Sequence, residues 1–143
     1  MKNLLDIAIK IAVNAHSGQI DKAGEPYILH PLKVMFALND VKDRIVGVLH
    51  DVIEDTDITY DYLIANGFHG ETEILDALKS VTKKEDETYD EFIKRASLNP
   101  IGKRVKLADL EDNMDFTRIV NPTDKDYIRI EKYKKAKEKL LNS

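Results

Sequence analysis

The 143 residues contain no cysteine and no tryptophan, and only six glycines and four prolines. Without cysteine there is no disulfide framework, no thiolate nucleophile and no thiolate metal ligand. Long apolar runs are missing too: the longest, such as Val34–Leu38, have five residues. A bilayer-spanning helix needs ~20, so no membrane partner is expected. Lys2, Asp6 and Lys10 interrupt the apolar pattern at the N-terminus, which reads as a helix and not as a signal peptide. The expected compartment is the cytoplasm. Net positive charge is also lacking. Twenty-two basic residues against 26 acidic ones leave −4, which argues against a nucleic-acid partner held by bulk charge.

What is present is the material of one helical domain. The length matches the ~150 residues of an ordinary domain, so residues 1–143 are expected to form a single unit with its own core. Charged residues make up 34%, above the usual ~25%, and such density suits amphipathic helices. Leu5, Ala8, Ile9, Ala12 and His16 recur on one face of a helix over 3–16. Residues 17–27 hold Gly18, Gly24 and Pro26 and read as a loop. Pro31 suits a first helical position, giving a helix to about Asn39. Residues 44–53 are apolar on nearly all sides, so that helix is expected to be central. Thr59 starts a short helix closed by Gly67, and residues 71–81 follow at helical spacing. Thr88 with Glu91, and Thr123 with Asp126, make capping boxes, and Pro100 opens a helix between them. No segment alternates with period two. The expected fold is all-α, a bundle of about eight helices.

Chemistry concentrates in His50-Asp51-Val52-Ile53-Glu54-Asp55-Thr56. One imidazole and three carboxylates fall within six residues, and the spacings of three and four let them point to one region. Acids beside a greasy helix are costly unless something positive meets them. His30, just before Pro31, and Asp109, four residues before Asn113, are the other candidates. His30, His50, Asp51 and Asp109 together make two imidazoles and two carboxylates, a donor set suited to Mn²⁺, Fe²⁺ or Zn²⁺ more than to Ca²⁺. A hydrogen-bonded His–Asp pair at a helix end is the competing reading of the same spacing. His16, on an apolar face, reads as a core histidine, and Tyr27 as packing. The lysines at 132, 134, 135, 137 and 139 read as a solvated face interleaved with Glu131 and Glu138.

Four ordered stretches carry a resemblance: Ala15-His16-Ser17-Gly18-Gln19, Gly24-Glu25-Pro26-Tyr27-Ile28-Leu29-His30-Pro31, Leu49 through Thr56, and Val105-Lys106-Leu107-Ala108-Asp109 with Asn113-Met114. The chain resembles the HD-domain metal-dependent phosphohydrolases, and within them the hydrolase domain of the RelA/SpoT alarmone enzymes and their small single-domain relatives. The resemblance spans most of residues 1–120. It implies an enzyme that removes pyrophosphate from the 3′ position of guanosine tetra- or pentaphosphate, with one divalent ion, usually Mn²⁺. By the same resemblance His30, His50, Asp51 and Asp109 hold the metal, Glu54 and Asp55 activate water, and Lys22 and Asn113 contact the nucleotide. No synthetase region is expected within these residues. Three positions depart from the pattern: Asp21, Leu110 and Asp115 stand where the family carries basic groups. They open two alternatives, the same chemistry on a simpler nucleotide and a non-catalytic nucleotide-sensing module. Guanosine tetraphosphate is expected to bind more weakly than in Arg-bearing relatives unless a cation such as Arg44, Arg95 or Lys103 reaches in. The oligomeric state is not legible.

Overall fold

A computed structural model describes residues 3–117 and 119–143, so Lys2 lies outside the described residues. All regular structure among them is helical apart from one isolated bridge between Ile20 and Pro26, which bears out the all-α expectation. No described helix is long and apolar enough to cross a membrane.

Helix α1 (Leu4–Ala15) begins where the Asn3 side chain accepts the N–H groups of Leu5 and Asp6. Helix α2 spans Leu29–Phe36, two residues earlier than the proline predicts. Proline is tolerated anywhere in a first turn because those N–H groups lack helical partners. His30 is thus the second residue of α2 and does not lie outside a helix start.

Helix α3 (Val41–Leu49) is capped by Asp40 and is central, as its all-round apolar sequence implies. It stops at His50, earlier than the continuous helix expected to residue 53. A separate turn, α4, resumes at Val52–Asp55. The break frees His50 and Asp51 from one helical cylinder and turns both toward α2. Helix α5 (Tyr60–Leu63) runs into a π turn over Ile64–Phe68, where Gly67 takes φ +116°, a conformation only glycine adopts without strain.

Helices α6 (Thr72–Ser80), α7 (Tyr89–Ser97), α8 (Pro100–Asn113) and α9 (Asp124–Leu141) complete the chain. Both expected capping boxes form, at Thr88 with Glu91 and at Thr123 with Asp126. Helix α8 packs against α2, α3, α6, α7 and α9. It joins the larger apolar cluster, which includes Ala8, Val34, Val46 and Leu78, to a smaller one of Ile93, Leu110, Ala136 and Leu140. Leu110 is completely buried in that second cluster. It is a core residue, so its departure from the family pattern removes no cation from a binding site. On α9, Lys137 pairs with Glu111 and Lys139 with Asp90, and the Lys132 ammonium lies 4.0 Å from the Tyr89 ring centre.

Two glycines allow the close helix approaches. A Cβ at Gly47 would lie 2.9 Å from Leu38 Cδ1 and 3.6 Å from Met35 Cα, so α2 rests almost directly on the α3 backbone. A Cβ at Gly102 would fall 2.0 Å from Ser80 Oγ. Gly102→Ala is therefore expected to cost about 1–3 kcal/mol through overpacking between α6 and α8. Adding Ser80→Ala should recover part of that cost in denaturant unfolding; an unchanged midpoint for Gly102→Ala would show that α6 yields without strain.

Candidate active site

The HD dipeptide, the start of α2 and the middle of α8 meet in one buried place. His30, His50 and Asp109 are each no more than 5% exposed. Asp109 Oδ1 lies 2.9 Å from His30 Nε2 and 3.2 Å from His50 Nε2. Asp51 Oδ2 lies 3.0 Å from His50 Nε2 and 3.6 Å from His30 Nε2. The ring centres of the two histidines are 5.2 Å apart. All four residues expected from the sequence are thus brought together.

The outer nitrogens of both rings are engaged elsewhere. His50 Nδ1 lies 2.6 Å from the Gly47 carbonyl, which can only accept, so this nitrogen carries a proton. His30 Nδ1 lies 2.6 Å from Asp112 Oδ2. Both Nε2 atoms consequently face the two carboxylates. The ligand atoms offered by His30, His50 and Asp51 lie within 4.8 Å of one another, and this group could hold a metal ion. The donor set fits a divalent cation: two imidazole nitrogens and carboxylate oxygens, with the ring orientations fixed from behind.

Electrostatics set the charge that each member of the cluster carries. Burial alone would lower the pKa of His30, but hydrogen bonds to Asp109 and Asp112 outweigh it and the net shift is upward. His50 is also desolvated, yet Asp51 and Asp109 hold it well above its usual value. Burial pushes Asp109 toward the neutral form. Lys106 and the histidines reverse this and keep its carboxyl well below the usual range. Asp51 is lowered in the same way, burial being overcome chiefly by His50. Lys106 Nζ bonds Asp109 Oδ2 at 2.8 Å and stays charged despite burial because of that carboxylate. A divalent ion brings the same two positive charges as the two ring protons it would displace.

Glu54 and Asp55 end α4, directly after Asp51. Burial raises both carboxyl pKa values, and the charge of Asp51 adds to this. Glu54 Oε1 accepts the backbone N–H of Lys83 and so ties the α6–α7 loop to the site. Gln19 bridges His16 Nδ1, at 2.8 Å, and the Asp55 carbonyl, at 2.9 Å. His16 is therefore only half satisfied, since its buried Nε2 has no partner among the described residues.

Beside the cluster opens a cavity of about 370 Å³ whose walls include Lys22, Tyr27, Asn113, Asp115, Arg129 and Tyr133. Both expected nucleotide contacts, Lys22 and Asn113, line it. Asn113 Nδ2 also donates to Asp109 Oδ1 at 3.0 Å, and the Tyr27 hydroxyl donates to Asp51 Oδ2 at 2.5 Å. Tyr27 is thus more than packing. Asp21 lines the same cavity and accepts the N–H groups of Ala23 and Glu25, shaping the turn that carries Lys22. None of Arg44, Arg95 and Lys103 lines this cavity. Arg44 bonds the Leu38 carbonyl, Arg95 grips Glu87 and Lys103 reaches Ser143. The cations among the lining residues are Lys22 and, from α9, Arg129. Sequence spacing could have flagged Lys106 and Asp112, each three residues from Asp109. Nothing local marks Arg129 and Tyr133, because only the fold returns α9 to the cavity.

The chain matches no family model. It is 40% identical over 83 residues to a guanosine-3′,5′-bis(diphosphate) 3′-pyrophosphohydrolase of Borreliella burgdorferi, covering 55% of this chain and 12% of that protein. A protein of the same name from Aquifex aeolicus is 30% identical over 116 residues, covering 75% of this chain and 17% of that protein. A GTP pyrophosphokinase of Myxococcus xanthus is 34% identical over 128 residues, covering 77% and 17%. The chain thus spans less than a fifth of the length of these relatives. In fold it is similar to a solved structure described as a metazoan ortholog of SpoT that hydrolyzes ppGpp. That likeness has a TM-score of 0.78 at 21% identity and covers 99% of this chain and 86% of the other. The resemblance read from the four motifs is borne out, in sequence over the hydrolase-like region and in overall fold.

The pKa directions set a pH window for the metal-free protein. His30 and His50 titrate above their usual ~6.5 when folded, so their stabilisation is complete below about pH 6.5 and is lost as pH rises through the raised values. Asp51 and Asp109 titrate below the usual ~3.9, so theirs is complete above about pH 4 and is lost as pH falls through the lowered values. Thermal unfolding in EDTA is expected to show greatest stability between these limits and a decline on the alkaline side. A flat profile above about pH 6.5 would mean that the two rings are not protonated together.

Proposed function

We propose that residues 1–143 form a single metal-dependent nucleotide phosphohydrolase domain that removes pyrophosphate from the 3′ position of guanosine tetra- or pentaphosphate. The observation that carries this reading is the junction of a His30/His50/Asp51 group with a cavity of nucleoside size, joined through Tyr27 and Asn113. The names of the relatives support the substrate class.

His30, His50, Asp51 and Asp109 are the residues that would hold the ion, with Mn²⁺ as our assignment. When bound, such an ion polarises a phosphoryl oxygen and makes a neighbouring water more acidic. The protein's own groups supply the rest. Glu54 and Asp55, with carboxyl pKa values raised by burial and by Asp51, are suited to take a proton from the attacking water. Water attacks the phosphorus attached to the 3′ oxygen, that P–O bond breaks, and the 3′ oxygen leaves with a proton. Lys22 and Arg129 meet phosphate charge at the cavity wall, Tyr133 offers a flat apolar face, and Asn113 donates at the boundary with the metal group. Tyr27 stays a hydrogen-bond donor at working pH, because burial and Asp51 push its pKa far up. It thereby holds the Asp51 carboxylate in place.

The direct test is release of pyrophosphate from guanosine tetraphosphate with added Mn²⁺, run beside GDP and GTP. Release only from the 3′-substituted nucleotide is expected. Release only from the simple nucleotides would reassign the substrate, and none from any nucleotide would remove the enzymatic reading. Glu54→Gln and Asp55→Asn should each lower kcat by about 10²–10⁴ while leaving Mn²⁺ affinity in place. The Glu54→Gln side chain still offers an oxygen to Lys83 N–H, so its loss reports proton handling and not loop collapse.

Arg129→Gln should act on the other parameter. Losing one charge-assisted contact is worth about 1.5–3 kcal/mol, a KM increase of roughly 10- to 100-fold with little change in kcat. An unchanged KM would place the phosphates away from α9.

A further inference from the structure

The two histidines of the candidate metal centre are held from behind by unlike groups. His50 Nδ1 meets the neutral carbonyl of Gly47, three residues back in α3. His30 Nδ1 meets the carboxylate of Asp112, 82 residues away, at 2.6 Å. The contact is buried, with the two side chains 6% and 12% exposed. Asp112 stands three residues after Asp109 on α8, so one helix face presents carboxylates to both nitrogens of the same ring.

We propose that Asp112 is a positioning residue for the divalent ion: it fixes the His30 ring with Nε2 toward the metal and strengthens that nitrogen as a ligand. The inference rests on the metal reading above and deepens it. A carboxylate at this distance accepts a proton held on Nδ1, which leaves the lone pair on Nε2, the only ring nitrogen that faces Asp51 and Asp109. Its negative charge raises the electron density of the ring more than a neutral carbonyl can, and low local polarity magnifies the effect. It also restrains rotation. His30 lies in the first turn of α2, where no preceding helical turn packs on the ring. The Asp112 bond sets its plane together with the Asp109 bond and the ring contacts with His50 and Tyr27.

The test uses the full chain and Mn²⁺ alone, with free ion counted by its paramagnetic resonance signal. Asp112→Asn keeps an oxygen acceptor and removes the charge, and it should weaken Mn²⁺ binding by about 10- to 100-fold. Glu111→Ala, an exposed neighbour paired with Lys137, should leave binding unchanged. A second measurement needs no variant. In Zn²⁺-loaded protein labelled with ¹⁵N at histidine, the His30 Nδ1 proton should be hydrogen-bonded and slow to exchange, with Nε2 on the metal. Equal Mn²⁺ affinity in wild type and Asp112→Asn would overturn the inference, as would coordination through Nδ1. An equal loss in Glu111→Ala would reduce the effect to general loosening of the helix end and also overturn it. A wild type that binds no Mn²⁺ would instead strike the metal reading itself, and this inference with it.

Discussion

The buried carboxylate of Asp109 is the constraint around which the rest is arranged. An isolated carboxylate at that depth would be neutralised or would destabilise the fold by several kcal/mol. Here His30 Nε2, His50 Nε2, Lys106 Nζ and Asn113 Nδ2 all converge on it. They come from α2, from the break after α3 and from α8 itself. Satisfying one charge therefore fixes three elements relative to one another. A polar network of this kind is costly when half complete. The two rings must carry protons or face a cation.

The two oxygens of Asp109 divide the labour. Oδ2 is committed to Lys106, whose ammonium also lies 5.0 Å from the centre of the Phe92 ring. That contact anchors the site to the α7–α9 side of the molecule. Oδ1 faces the histidines and Asn113. On the opposite side Asp51 is shared between His50 and the Tyr27 hydroxyl. Asn113 and Tyr27 both line the cavity. Each carboxylate of the cluster thus has one partner on the cavity wall. A molecule that moves Tyr27 or Asn113 necessarily disturbs the orientation of Asp51 or Asp109. The cavity and the His–Asp cluster are thus structurally joined, although they are formed by distant parts of the chain.

Much of this was legible in the sequence, and the failures have definite causes. Caps are local, so both capping boxes and the Gly67 terminus were readable. The meeting of His30, His50, Asp51 and Asp109 was readable because ordered motifs carry them. The helix starts and stops around them were not. Pro31 fits any position of a first turn, so its presence could not separate a start at 29 from a start at 31. The apolar run after Arg44 gave no hint that the helix ends at Leu49, because the break is stabilised from outside, by the partners of His50 and Asp51 on α2 and α8. Leu110 looked like a lost cation for the same reason. Its neighbours in the motif face the site, but helical geometry turns it toward Ile93, Ala136 and Leu140.

Asp21 and Asp115 pose a sharper question, since acids on the wall of this cavity oppose its proposed use for a phosphorylated nucleotide. Their hydrogen bonds supply the physical reason. Asp21 Oδ1 accepts the N–H groups of Ala23 and Glu25, while the Asp21 backbone pairs with Glu25 and Gly24. It organises the turn that presents Lys22. Asp115 Oδ1 accepts both the N–H and the hydroxyl of Thr117, and so directs the chain as it leaves α8. A carboxylate that gathers such donors has part of its charge offset locally, and the field it projects into the cavity is weaker than its formal charge suggests. Counting basic residues lost along the motif therefore overstates the change in the site. In the proposed reading the cationic role rests on Lys22, on this turn, and on Arg129. The acids keep the turn in the shape that lets Lys22 stand there.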